Sequence, residues 1–554
     1  MEKLFILLLF YFSITFSIIG YGNIFSSISN RKYSIGERGL NGILFLIIIS
    51  YLTNFFYPHS LSHNLLIISI GLLSFFYYLF QNFRDNLKQL KIVFIIFLIL
   101  FIGLLMHKNH DDFYYYHFSY TLSLIEYKKI LGLGLLNHGF RTPSSIFYLN
   151  SLFYLPYIKY FMINSGAIFI MGFANIIFLE KINNLLKAKK TSLILFLLIL
   201  SFIYINTAFY RLAEHGTDRS ALILIFLLVI TYMESIGTLK KVFNTGNFIN
   251  YYEKIIILLL LIISLKSFYL IYLSLFLMWL YQFRFYISKK IIISVFSKNI
   301  FTYIFILGLS LSVLHVFLNT GCLVYPASFT CFDNFQWAIP IEQVQQMKSW
   351  YSLWSKGGAS PTFRIEDPEL YLANFNWVFH WVKTYFFTKG TDAIFVIFLI
   401  SIICLFALMN VKNKNYVGYN HNYNPLFIIL IILFLEWFIN HPALRYGGYT
   451  LLALMFFIPL SIFLEKKVLF NNKFKKKVII LIVIALSFFV FKNISRLNKE
   501  HVKYQYNILS NPYFYINDNS FYFQKIFADL QRKYKKDNDS FYLILNYNLI
   551  NNDN

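Results

Sequence analysis

Residues 92–117 read IVFIIFLILFIGLLMHKNHDDFYYYH. The stretch Ile92 to Met106 is uncharged and apolar, and it breaks almost at once into His110-Asp111-Asp112-Phe113-Tyr114-Tyr115-Tyr116-His117. A run of this kind is the body of a membrane-spanning helix, because uncharged apolar side chains on a self-bonded backbone are what a bilayer core accepts. It delivers adjacent carboxylates to the membrane surface. Charged groups are costly inside the bilayer, so ionisable residues at that boundary are functional candidates: they can take a proton, hold a metal or bind a cation. The plain alternative is a solvated loop with ordinary aspartates.

Composition points the same way. Of 554 residues, 58% are hydrophobic and 13% charged, whereas a soluble domain carries about 25% charged residues. Mean hydropathy is +0.59. Many apolar runs approach the ~20 residues that cross a hydrocarbon core. The chain reads as an all-α polytopic membrane protein, its partner surface being the lipid bilayer. Aromatics reach 21%, with 65 Phe and 43 Tyr. The joint excess of Phe, Ile, Tyr, Asn and Lys matches AT-rich coding, so the net charge of +24 is not read as nucleic-acid binding.

Hydropathy and breaker residues place helices near 3–20, 41–57, 63–80, 92–106, 165–180, 191–209 and 220–236. Two short runs follow, 255–265 and 267–282, then 299–317, 392–410, 426–439, 447–464 and 478–492. This amounts to about 13–14 transmembrane helices with a small extracytoplasmic lobe. The first run lacks a small-residue cleavage site and reads as an anchor. The expected organisation is extra amino-terminal helices over 1–90, a transmembrane core over 91–465 with external loops 107–164 and 318–391, a last helix within 466–492 and an external tail over 493–554.

Orientation follows from the short loops. One set carries Arg31/Lys32/Arg38, Arg84/Lys88/Lys91, Lys181/Lys187/Lys189/Lys190, Lys240/Lys241, Arg284/Lys289/Lys290, Lys412/Lys414 and Lys466/Lys467/Lys473/Lys475/Lys476/Lys477. The opposite short loops hold only Arg211, Arg219 and Arg445. Basic loops stay in the cytoplasm. The expectation is a multi-pass protein of a bacterial cytoplasmic membrane, with both termini, the Asp111 loop, the Arg211–Arg219 turn, the long loop 318–391 and the Asn440–Tyr446 turn outside. The alternation closes if 255–282 is a hairpin of two short helices and if Ser145 to Tyr160 lies in or near the interface.

Several external residues share one chemistry. Lys266, between Leu265 and Ser267 in an apolar stretch, must snorkel, pair or face a wet cavity. The turn Arg211-Leu212-Ala213-Glu214-His215-Gly216-Thr217-Asp218-Arg219 packs acids, arginines and a histidine together, and Asn440-His441-Pro442-Ala443-Leu444-Arg445-Tyr446-Gly447-Gly448 sets an arginine beside a tyrosine. Arginine outside runs against the topology bias. Either it pairs internally, as Arg211 with Glu214 or Arg219 with Asp218, or its guanidinium fork receives a phosphate. In the long loop, Cys322 and Cys331 are disulfide candidates on an oxidising face, and Trp337, Trp350 and Trp354 make an aromatic surface fit for sugar rings, headgroups or the core of a small lobe. There is no Walker loop, dinucleotide glycine fingerprint, zinc-type cysteine pairing or serine elbow.

The order of these motifs resembles the GT-C superfamily of integral-membrane glycosyltransferases. In that group a helix runs outward into a first external loop opening on an acidic motif, here Asp111-Asp112 followed by Tyr114 to Tyr116. A Gly/Pro stretch leading to an interfacial helix is matched by His138-Gly139-Phe140-Arg141-Thr142-Pro143. A second external acid is matched by Glu214 or Asp218, a basic residue at a short-helix pair by Lys266, and a late Arg-Tyr by Arg445-Tyr446. The resemblance covers roughly residues 90 to 465. It departs from the simplest pattern in the extra helices before the acidic loop, a feature similar to bacterial polytopic proteins of surface-polysaccharide pathways.

The resemblance implies a transferase that moves a sugar from a polyprenyl-phosphate donor to a glycan, lipid or protein acceptor on the extracytoplasmic face. Asp111 or Asp112 would be the general base. Lys266, Arg445 and one of Arg211 or Arg219 would meet the leaving phosphate. Glu214 or Asp218 would form a second acidic site, and His110, His117 and Tyr446 would support it. No cofactor is assigned, and a divalent metal is left open. Two other readings use the same charges: a transporter or flippase of a lipid-linked or anionic solute, and an arginine-based polysaccharide polymerase or ligase. A transferase gathers its acids, cations and groove at one face. A transporter needs polar groups continuing to the other side.

Overall fold

The structure is a computed structural model that describes residues 1–81, 83–214, 216–360, 364–409, 423–516 and 543–544. His215, Lys412, Lys414 and most of the tail beyond 516 lie outside the described residues. Among those described, 11 helices are long and apolar enough to cross a membrane, and three shorter apolar helices, Leu193–Ala208, Ser267–Phe283 and Asn424–Asn440, lie between them. The chain is an all-helical, multi-pass membrane protein. Strand is limited to Ile130–Leu131, in parallel register with Leu543–Ile544.

Every apolar run of the sequence is helical over most of its length, with boundaries that move: Glu2–Ser29, Gly216–Leu239 and Asn472–Tyr504 extend beyond their runs, while the runs at 41–57 and 191–209 end sooner, at Asn54 and Ala208. The run at 92–106 belongs to Phe83–Leu104, and the last run belongs to Asn472–Tyr504. The helix expected from 392 begins at Asn376, which shortens the polar lobe that precedes it. The expected hairpin of two short helices needs correction. Thr245–Leu265 is a full-length helix of 21 residues, and the chain breaks at Lys266, whose backbone is extended. A six-residue 3-10 turn, Ser267–Tyr272, and the helix Leu273–Phe283 follow. Hydropathy misses the first half of Thr245–Leu265 because Asn247, Glu253 and Lys254 are polar. They nevertheless sit on helix, Glu253 held by Arg31 and Lys254 by Glu37.

Packing is organised from the amino terminus inward. Glu2–Ser29, Ile35–Asn54 and Leu61–Gln81 form a tight trio. A Cβ at Gly20 would stand 1.8 Å from the Gly71 carbonyl oxygen, so the backbones touch there. Such close approach lets hydroxyls reach across: Ser17 Oγ donates to the Ile68 carbonyl at 2.9 Å and Tyr21 Oη to that of Ile67 at 2.8 Å. This is how small residues tie helices together where lipid gives no hydrophobic drive. Gly166–Lys187, Gly216–Leu239 and Thr245–Leu265 are the most enclosed helices, while Leu61–Gln81, Asn376–Leu408 and Asn472–Tyr504 line the rim.

Charged pairs collect at the two ends of the bundle. At one end Lys254 meets Glu37 at 2.7 Å, Arg31 meets Glu253 at 2.9 Å, and Lys181 meets Glu234. At the other end the loop after Phe83–Leu104 folds over the helix tips. It contains the helix Phe118–Glu126 and a seven-residue helix, Ser145–Ser151, that is buried and does not cross. A buried polar chain fastens this loop to Ile300–Thr320. Lys129 Nζ donates to Asn319 Oδ1 at 2.6 Å, Asn319 Nδ2 donates to Tyr120 Oη at 3.0 Å, and the Tyr120, Tyr148 and His315 side chains continue it at 2.9 Å per step. The segment after Tyr504 returns to the same end, where Tyr513 stacks on Phe161 at 4.0 Å and Tyr515 N donates to the His107 carbonyl at 2.8 Å.

Candidate functional site

Two turns from distant parts of the chain build the site. The first is the acidic turn. Phe113–His117 is a π-helical turn that leads into Phe118–Glu126. Such wide turns re-aim side chains and recur at functional sites. The Asp111 side chain is 90% exposed and stands 3.6 Å from Lys108. Asp112 faces inward: its backbone N–H donates to His110 Nδ1 at 3.2 Å, and its Oδ2 lies 3.6 Å from the same nitrogen. Adjacent residues on a helical turn diverge by about 100°, so one aspartate of the pair is turned away when the other is aimed.

The second turn is rigid. The carbonyls of Pro442 and Ala443 accept indole N–H bonds from Trp381 at 3.0 Å and Trp437 at 2.9 Å. Leu444 N donates to Tyr385 Oη at 2.7 Å, and the Arg445 carbonyl accepts from Tyr269 Oη at 3.3 Å. Gly447, at φ +122°, closes the turn in a conformation that L side chains rarely adopt. Every bond fixes backbone, and the Arg445 side chain is left to project.

These turns meet. Arg445 Nη1 donates to Asp112 Oδ2 at 3.4 Å, across 333 positions of sequence. Arg445 Nη2 donates to Tyr446 Oη at 3.2 Å, and the guanidinium lies 4.6 Å from the Trp354 ring centre. Its Nε–H is buried and has no hydrogen-bond partner among the described residues. On the far side of Tyr446, Lys266 Nζ sits 4.4 Å from the ring centre and donates to Asp218 Oδ1 at 2.8 Å. Asp218 is buried in the first turn of Gly216–Leu239. His117 completes the wall: burial pushes its pKa down to about 4 against the opposing pull of Asp112 and Asp218, and its Nε2 is buried without a hydrogen-bond partner among the described residues.

The remaining sequence candidates fall elsewhere at this end. Arg211 is engaged by Glu214 through Nε at 2.9 Å and through Nη2, so both belong to an internal pair. Arg219 lies 5.7 Å from the Phe209 ring centre and has no ion-pair partner among the described residues. Cys322 and Cys331 form a disulfide that closes the small loop ahead of Ile341–Lys356. No group of three or more His, Cys, Asp or Glu among the described residues is arranged to hold a metal ion.

Sequence reasoning brought Asp112, Asp218, Lys266, Arg445 and Tyr446 into consideration, and the structure brings them together. Trp354, named from the sequence as part of an aromatic surface, lies beneath Arg445. His138, named in the Gly/Pro stretch, sets its Nδ1 2.7 Å from Tyr115 Oη. Tyr269 on the Arg445 carbonyl was not named. The spacing of Trp350 and Trp354 on a polar helix was a usable signal, since residues four apart share a helix face. Nothing in the sequence marks Tyr269.

A family model described as a domain of unknown function (DUF8201) matches residues 4–452, and the chain belongs to that family. The matched span takes in Asp112, Asp218, Lys266, Arg445 and Tyr446. No curated protein and no solved structure matches the chain.

Proposed function

We propose that this member of the DUF8201 family is a membrane glycosyltransferase that takes a sugar from a polyprenyl-phosphate donor at the extracytoplasmic face, with Asp112 as general base and Arg445 as the principal ligand of the leaving phosphate. The observation that carries the reading is the Arg445 guanidinium: it touches Asp112 at 3.4 Å and keeps a buried Nε–H with no partner among the described residues. An arginine that must satisfy that donor is suited to a planar, multidentate oxyanion, and a phosphate provides one.

The step balances as a displacement. The acceptor hydroxyl oxygen bonds the anomeric carbon, the anomeric carbon–oxygen bond to phosphate breaks, the hydroxyl proton passes to Asp112, and the lipid phosphate leaves with the bonding pair. Arg445 and Lys266 neutralise the charge that develops on that phosphate. Lys266 Nζ has Asp218 as its carboxylate partner and further N–H donors to offer. A phosphate entering the Arg445 fork competes with Asp112 for it, which frees the carboxylate to accept the proton as the donor binds. Asp111, exposed and set against Lys108, has no part in the step.

A radiolabelled polyprenyl-phosphate sugar, presented to purified protein in nanodiscs, tests this. Asp112→Asn should lower transfer about 10²–10⁴-fold, the range for losing a general base, while Asp111→Asn keeps the wild-type rate. Equal transfer by both variants would refute the base assignment. In proteoliposomes, movement of the intact lipid-linked sugar between leaflets without transfer would favour a flippase instead.

A further inference from the structure

The helix Ile341–Lys356 has two working faces. One carries Trp354 beneath the Arg445 guanidinium, with Trp350 stacked against Trp354 at 6.4 Å and 20°. The other borders an open groove of about 490 Å³ lined by Glu342, Gln345, Gln346, Ser349 and Trp350, with Pro368 and Leu372 on the facing wall. Trp350 belongs to both faces, so the groove runs into the aromatic step that ends at Arg445.

The chemistry of the lining is selective. Two primary amides, a carboxylate and a hydroxyl supply both donors and acceptors at short intervals, and an indole offers a flat apolar face. Among the described residues that line the groove none is basic. A phosphate would find no cation there and would meet the Glu342 carboxylate. A neutral pyranose chain fits: its hydroxyls alternate between donor and acceptor needs, and its C–H faces pack on an indole. The cations lie at one end of the path, and amides, a hydroxyl, one carboxylate and the apolar walls of Trp350, Leu353 and Leu372 lie along the rest, which separates the phosphate from the polyol part of a bound pair of substrates.

We infer that this groove is the acceptor subsite and that it holds a neutral oligosaccharide, whose terminal hydroxyl reaches Asp112 past Trp350 and Trp354. The inference rests on the transferase reading for the word acceptor, but not for the binding itself.

Saturation-transfer NMR on the purified full chain in nanodiscs tests the binding, with chitohexaose and maltohexaose as probes and a Ser/Asn hexapeptide as the competing class. Wild type should transfer saturation to pyranose protons of at least one hexasaccharide and not to the hexapeptide. Trp350→Ala and the double variant Gln345→Ala/Gln346→Ala should each weaken that affinity about tenfold or more, as expected when a central aromatic or paired polar contact is removed. Trp350→Phe, which keeps an aromatic face, should restore most of it. Asp111→Asn, at an exposed side chain outside the step, should bind as wild type does. Absence of hexasaccharide binding, binding that these variants leave unchanged, or preference for the hexapeptide would each overturn the subsite. Hexasaccharide binding lost in the groove variants, together with normal transfer by Asp112→Asn, would instead keep the subsite and remove the catalytic reading.

Discussion

Two arginine–carboxylate pairs stand at opposite ends of this bundle, and they are built differently. Arg31 grips Glu253 with two bonds, Nε to Oε2 at 3.1 Å and Nη2 to Oε1 at 2.9 Å, and Glu253 accepts a third from Asn299 Nδ2 at 2.8 Å. The Glu253 side chain is 4% exposed. Arg445 meets Asp112 once, at 3.4 Å, with its Nε–H unused. The first pair is closed and joins the turn after Glu2–Ser29 to Thr245–Leu265. The second is held in place by its backbone turn and has donors to give. A bidentate pair whose carboxylate is buried and fully engaged ties two elements together. One that leaves donors open beside a base is arranged for a ligand.

The contrast can be broken by exchanging the roles of the two arginines. Arg445→Ala should lower sugar transfer about 10²–10³-fold, as for removal of a fixed transition-state ligand, and leave the folded protein intact. Arg31→Ala should leave the rate of the folded fraction unchanged. Comparable rate losses in both would erase the distinction.

Stability should move the other way. Glu253→Ala strands Asn299 and Arg31, and should lower stability by about 1–3 kcal/mol. Arg31 is 43% exposed, so water takes over part of its solvation and the cost stays below that of a fully buried pair. Asp112→Asn, at a half-exposed single contact, should shift the unfolding midpoint far less. Thermal unfolding in detergent reads both.

The smallest effect sharpens the comparison at the Asp112 face. His117 titrates at about 4 in the fold, against an ordinary value of 6.5. Between those values the unfolded chain binds a proton that the folded chain refuses. The stabilisation is therefore complete above pH 6.5 and is lost progressively as pH falls towards 4. His117→Gln should flatten the acid limb of the unfolding midpoint measured against pH. An unaltered limb would place the titration on other groups.

Much of the architecture is legible in the sequence because hydropathy is a local property. Each apolar run is a helix, and the acids and cations named in the turns do gather at one end. What is not legible depends on tertiary contact. The amino-terminal half of Thr245–Leu265 is too polar for a hydropathy window, and Glu253 and Lys254 are carried on helix by Arg31 and Glu37. Choosing Asp112 over Asp111 requires the orientation of one helical turn, which adjacency in sequence does not contain. Arg211 and Glu214 share with Arg445 and Asp112 the arginine–carboxylate chemistry and the same end of the bundle, yet they satisfy each other. Only geometry separates the closed pair from the open one. Trp354 enters the site because its helix lies across the Arg445 turn, a placement set by the fold of the whole lobe.

The most direct measurement is phosphorus NMR of a sugar-free polyprenyl phosphate titrated into purified protein in nanodiscs, comparing wild type, Arg445→Ala and Arg31→Ala. The account predicts a shifted, saturable phosphate resonance in wild type and in Arg31→Ala that disappears in Arg445→Ala. A bound resonance that persists in Arg445→Ala, or that requires Arg31, would contradict it.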